Sequence, residues 1–143
     1  MRLSLFSSWL AKRRAARLGK DIEKVRKAYG FAPGNLPLLF VLVDALMKAD
    51  RKPEALAVLQ AFPLHDRPEE VRAQVGGLFL EAGDALSAFR LCTGGSAAAL
   101  INRARACLAL GNYREGLAAY AAAIATDPAL EDRELRSGLD RGR

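Results

Sequence analysis

One histidine, two cysteines and a Gly-Gly-Ser turn are the groups in this 143-residue chain best suited to chemistry. His65 could serve as a base or a metal ligand. No Cys/His/Asp cluster stands at ligand spacing around it, so it reads as a solvated residue of the Pro63–Pro68 link. Cys92 and Cys107 sit among apolar residues in predicted helices. That pattern suits buried free thiols in a reducing compartment, not a disulfide framework. Gly94-Gly95-Ser96 precedes a helix and could form an anion nest, although a tight turn plus a helix cap is the favoured reading. GxxxxGK[ST], GxSxG and HExxH are all missing from the sequence. The acidic residues fall at helix caps and on exposed faces, where nothing would raise a carboxyl pKa. The chain is therefore expected to have no catalytic residues, no metal, no cofactor and no small-molecule substrate.

The scaffold around these residues is helical by composition. Alanine and leucine dominate, β-branched residues are sparse, and mean hydropathy is near zero. No long stretch alternates with period two. A chain of this length can bury roughly 68–70% of its unfolded surface, enough for a core without bridges or metals. No apolar run reaches the ~20 residues of a membrane span. The opening MRLSLFSSWLAKRR has a short apolar segment followed by charge, unlike a secretory signal.

Spacing within Gly111–Pro128, GNYREGLAAYAAAIATDP, is the most specific signal. Tyr113, Leu117, Tyr120 and Ile124 recur at helical intervals on one face. Gly116 and Ala123 are small, Gly111 suits a turn, and Asp127-Pro128 ends the helix because a residue before proline is pushed out of the α region. Upstream, Ser96 can cap a helix over 97–109 that carries small Ala104. This stretch resembles the second half of a tetratricopeptide (TPR) repeat. Its first half departs from the pattern, with Leu100 in place of an aromatic and Arg103 where leucine is usual.

Two weaker units align on the third. One is centred on Gly83, with an Asp66/Glu69 capping box, Pro68 in the first turn, a helix over 67–82 carrying Gly76 and Phe79, and a short helix over 84–92. The other is centred on Asp50, with Asn35 as cap of the first helix and Pro53 opening the second. Ala55, Ala88 and Gly116 are then equivalent, 33 and 28 residues apart. The expected fold class is all-α: a right-handed superhelix of antiparallel helix hairpins, a TPR-like α-solenoid, with an N-terminal capping helix. Its units are expected at about 36–63, 66–93 and 96–128, and residues 129–143 form a capping helix or a frayed tail. An irregular helical bundle is the alternative.

Three units can form a stable stack. The resemblance implies a binding scaffold whose first helices line a groove. Position by position, that groove would be Phe40, Asp44, Met47 and Lys48, then Glu70, Ala73, Gly77 and Leu80, then Ile101, Arg105 and Leu108. Some family members clamp a C-terminal carboxylate with Lys, Asn and Arg. Phe40, Asp44, Ala98 and Asn102 occupy those places, so no clamp is implied. A mixed groove suits an amphipathic helix or an extended apolar peptide.

Charge is lopsided. Residues 1–30 carry nine Lys/Arg against two Asp/Glu, a net of +7, while the remainder carries −1. Residues 1–30 read as a basic amphipathic helix. Ala11, Ala15, Leu18, Ile22, Val25 and Tyr29 form an a/d seam. Lys12, Arg13, Arg14, Arg17, Lys20, Lys24 and Lys27 are expected on the other surface. Such a surface can be simply solvated, or can meet an acidic protein, an anionic membrane or nucleic acid. Leu3, Phe6, Trp9 and Leu10 favour the membrane among the last two. The expected function is a cytoplasmic adaptor for a partner protein in a larger assembly. The motif DPALEDREL at 127–135 resembles TPR-like regions attached to some AAA+ ATPases and secretion machines. The alternative is a membrane-associated tether acting through the basic helix, with nucleic acid the weaker target.

Overall fold

The computed structural model describes residues 2–142, without the side chains of residues 2–8, 11, 14–16 and 18. All regular structure among the described residues is helical. The chain divides into two compact units, residues 1–63 and 64–143.

The first unit contains α1 (Arg2–Phe31), α2 (Leu36–Lys48) and α3 (Lys52–Ala61). α2 packs against both of the others. Asn35 starts α2: its side-chain oxygen accepts from the Leu38 N–H at 3.1 Å. Leu39, Leu42, Val43 and Leu46 then recur on one face and are fully buried, with Ile22 of α1 and Ala55 and Leu59 of α3. Arg26 of α1 reaches Glu54 of α3 at 2.6 Å, and Arg51 makes a forked contact with the same carboxylate at 2.7 and 2.6 Å. Arg51 first, and Arg26 after it, hold the Glu54 carboxyl below the usual range. Ala11, Ala15 and Leu18 of the predicted seam lie outside the described side chains. Ile22 is buried and Val25 and Tyr29 are half-buried.

The second unit contains α4 (Glu69–Glu81), α5 (Ala85–Leu91), α6 (Ala97–Leu110), α7 (Tyr113–Thr126), a 3-10 turn (Pro128–Leu130) and α8 (Arg133–Arg141). α4 pairs with α5 and α6 with α7, α6 also packs on α4 and α5, and α8 lies on α7 and α6. Their core joins Ile101, Ala104, Tyr120 and Ala123 to Leu135 and Leu139. A Cβ on Gly116 would come within 2.5 Å of Leu139 Cδ2 and 2.9 Å of Cys107 Cβ. A small residue is therefore required where α6, α7 and α8 converge. The Tyr120 hydroxyl accepts from the Asp132 N–H at 3.0 Å and fixes the start of α8.

The three hairpins α2–α3, α4–α5 and α6–α7 turn identically. Asp50, Gly83 and Gly111 all take positive φ, at 58°, 87° and 80°. The following N–H reaches back five residues in each case: Arg51 to Leu46 at 2.8 Å, Asp84 to Phe79 at 2.8 Å, Asn112 to Cys107 at 2.9 Å. This is the Schellman ending of a helix, where a left-handed residue satisfies otherwise orphaned carbonyls.

One cap differs from the sequence reading. α4 begins at Glu69 behind Pro68, which makes no side-chain cap bond, and Asp66 stands outside the helix with φ 59°. The capping box fails because Glu69 Oε1 accepts instead from the Ser96 N–H, 2.7 Å away.

Candidate functional site

The groove residues divide between the two units. In the first, the buried stripe of α2 leaves the opposite face open. Phe40 is 39% exposed and its neighbour Val41 is 51% exposed. Asp44 pairs with Lys48 at 2.8 Å on the same side, and Met47 is half-buried. Val41 is the residue that the repeat alignment missed. The signal was present in the sequence: once Leu39, Leu42, Val43 and Leu46 define the inner stripe, Val41 must point away from it.

In the second unit α4 and α6 approach closely. Asn102 Nδ2 donates to the Ala73 carbonyl at 3.1 Å, and Asn102 Oδ1 accepts from Arg105 Nη1 at 3.1 Å. A Cβ on Gly77 would lie 3.3 Å from the same amide nitrogen. Arg105 is exposed, with Asp132, the residue that caps α8, at 3.9 Å. Leu80 is half-buried, and Glu70 is exposed. Three expected groove residues are differently placed. Ala73 is fully buried with Cys92 and Ala99, where α6 packs on α4. Ile101 is 3% exposed and belongs to the core. Leu108 packs beside Gly138 of α8, where a Cβ would come within 3.1 Å of it. For these last two the reason is α8: its leucines need cover, and this part of α6 supplies it.

Arg103, at a position where leucine was expected, links three helices. It stacks on the Phe89 ring of α5 at 4.1 Å, donates to the Cys92 carbonyl at 3.3 Å, and pairs with Glu115 of α7 at 2.5 Å. The aliphatic stem supplies packing and the guanidinium satisfies polar groups at the seam.

The groups with chemical potential are scattered. His65 is exposed, its Nε2 3.2 Å from Asp66. Cys92 and Cys107 are buried free thiols, and burial pushes Cys92 up to about 11 and Cys107 upward. The Gly94–Ser96 turn holds the chain's own anion: the Glu69 carboxylate fills the space beside Gly94. Backbone and hydroxyl hydrogen bonds from Ser96 hold that carboxyl below its usual range. Among the described residues no group of three His, Cys, Asp or Glu is placed to hold a metal. Surface depressions of about 1040 Å³ beside Tyr113 and about 390 Å³ beside Tyr29 are lined by neither His65 nor a cysteine.

On α1, Lys12, Arg13, Arg17, Lys20, Lys24 and Lys27 are exposed. Arg14, Leu3 and Phe6 lie outside the described side chains. Arg13 sits 5.1 Å from the Trp9 ring centroid. No helix among the described residues is long and apolar enough to cross a membrane.

Helix hairpins with a shared left-handed turn and small residues at the crossings define an all-α helical-repeat fold of the TPR-like class. The chain is similar to the crystal structure of MamA, a TPR-containing protein. The TM-score is 0.58 at 17% identity, over 92% of this chain and 88% of that one. No protein-family model and no curated protein matches the sequence.

Proposed function

We propose that the chain is a non-enzymatic adaptor that holds a helical or extended apolar segment of another protein. The observation that carries this reading is the outer face of α2. Phe40 and Val41 stand exposed on the side of α2 away from its fully buried stripe, and together they offer an apolar patch on which a partner's apolar side chains could be buried. The Asp44–Lys48 pair beside them supplies a polar edge that can fix a ligand's direction. In the second unit Leu80, Asn102 and Arg105 form a smaller mixed surface, with Arg105 the exposed cation. The TPR-like fold supports a protein partner, since stacked hairpins present helix faces without assembling a polar pocket. The DPALEDREL motif does not identify that partner. Asp127 caps the 3-10 turn through Ala129 N–H at 3.1 Å, and Asp132 caps α8 through Leu135 N–H at 3.0 Å. An AAA+ or secretion-machine partner is one candidate class.

The test is a photo-crosslinker placed at Phe40, and in a second protein at exposed Ala122 of α7, with adducts identified by mass spectrometry. A discrete partner captured only at position 40, and lost on Val41→Glu at unchanged melting temperature, is expected. Equal capture at both positions would sink the proposal.

A further inference from the structure

The outward face of α1 is not used by the adaptor reading. At about 100° per residue, Arg13, Arg17, Lys20, Lys24 and Lys27 fall within a sector of about 80°. This sector lies opposite Ile22, which is fully buried. The cations therefore form a single straight row, about 21 Å from first to last at ~1.5 Å per residue. The two acidic residues of the helix, Asp21 and Glu23, fall on its two flanks, and Glu23 faces Arg26 at 3.9 Å. Large aromatics continue the row at both ends. Trp9 is 51% exposed and Phe31 is 82% exposed, about 33 Å apart by the same rise.

We propose that this face of α1 docks flat on an anionic phospholipid surface, with the cation row over the headgroups and Trp9 and Phe31 as interfacial anchors. A planar charged surface lets all five cations approach together, which a one-sided straight row requires. Tryptophan prefers the headgroup level, where its apolar ring and its N–H both find partners, and Phe31 adds apolar contact at the other end. Their position matters: both lie at the ends of the row and none between the cations. Reading single-stranded nucleic acid uses aromatics interleaved with cations, for base stacking. Ile22, Val25 and Tyr29, the described part of the apolar seam, turn away from the cation row, so this contact is adsorption and not insertion. Each cation near such a surface contributes about fivefold in partitioning, and salt screens the attraction over ~8 Å at physiological strength.

The full chain is mixed with phosphatidylcholine vesicles with and without 30% phosphatidylserine, and co-sedimentation is measured. Trp9 is the sole tryptophan, so its emission reports directly. Expected are binding and a blue shift only with phosphatidylserine, reversal by 0.5 M NaCl, and at least about a tenfold loss for Lys20→Glu with Lys24→Glu at an unchanged circular-dichroism melt. Trp9→Ala and Phe31→Ala are expected to weaken binding while leaving its salt dependence intact. Equal partitioning to both vesicles, or no loss in the double variant, would overturn the proposal. So would tighter binding to a single-stranded oligonucleotide at the same salt, which would assign the row to nucleic acid.

Discussion

α8 is nine residues long and sinks Leu135 and Leu139 among α6 and α7, whereas α1 runs for thirty residues and keeps its row of cations in solvent. Both are amphipathic, but the balance differs. In α8 the apolar stripe is short and must be covered at once, so it takes the part of α6 around Ile101 and Leu108. In α1 the seam is spread over many turns and the polar face is nearly all of one sign. A terminal helix that covers a repeat removes binding surface, and one that carries unbalanced charge creates it.

The largest effect is expected at the covered end. Leu139→Ala removes a fully buried side chain against Gly116 and should cost about 2–5 kcal/mol of unfolding free energy in urea titrations. A loss under about 1 kcal/mol would show that α8 is dispensable to the second unit. The shared turns come next. Gly111→Ala forces a Cβ into a left-handed conformation and should cost roughly 1–2 kcal/mol, while Asp50→Gly relieves the same strain and should raise the melting temperature. A neutral result at both positions would mean that the left-handed turn residue carries no strain cost in these hairpins.

A smaller, pH-dependent effect is expected at Glu69. Its carboxyl is held low in the folded protein, so its contribution is complete above the unfolded value of about 4.3 and is lost as pH falls through the lower folded one. Glu69→Gln should therefore reduce stability at neutral pH and flatten the acid side of the stability curve. An unchanged acid side would show that the Ser96 contact contributes nothing. The smallest effect belongs to α1: Lys20→Glu with Lys24→Glu should leave stability within about 0.5 kcal/mol, since both side chains are exposed. A larger change would mean that the cation row serves the fold.

Local signals were legible. Asn35 and Ser96 cap the helices they precede, and Asp50, Gly83 and Gly111 take the turns expected of them. The failures were long-range. The Asp66/Glu69 box satisfied every local rule, yet Glu69 bonds a residue 27 positions away. Ile101 and Leu108 sat at groove positions, but whether such positions stay open depends on the helix that comes after the last hairpin. Leu139 stands four residues after Leu135, a helical spacing, but only the packing of α8 on α6 and α7 shows that both leucines are buried.

By itself the sequence determined the helical class, the hairpin turns and the one-sided charge of α1. Each arises from residues within a few turns of one another, where backbone preference and periodicity decide. Only the tertiary structure decided which apolar faces remain uncovered, where Glu69 finds its donor, and how Arg103 joins Phe89, Cys92 and Glu115. Those outcomes depend on competition among distant groups for the same buried space and the same hydrogen-bond donors, and spacing along the chain carries no record of who wins.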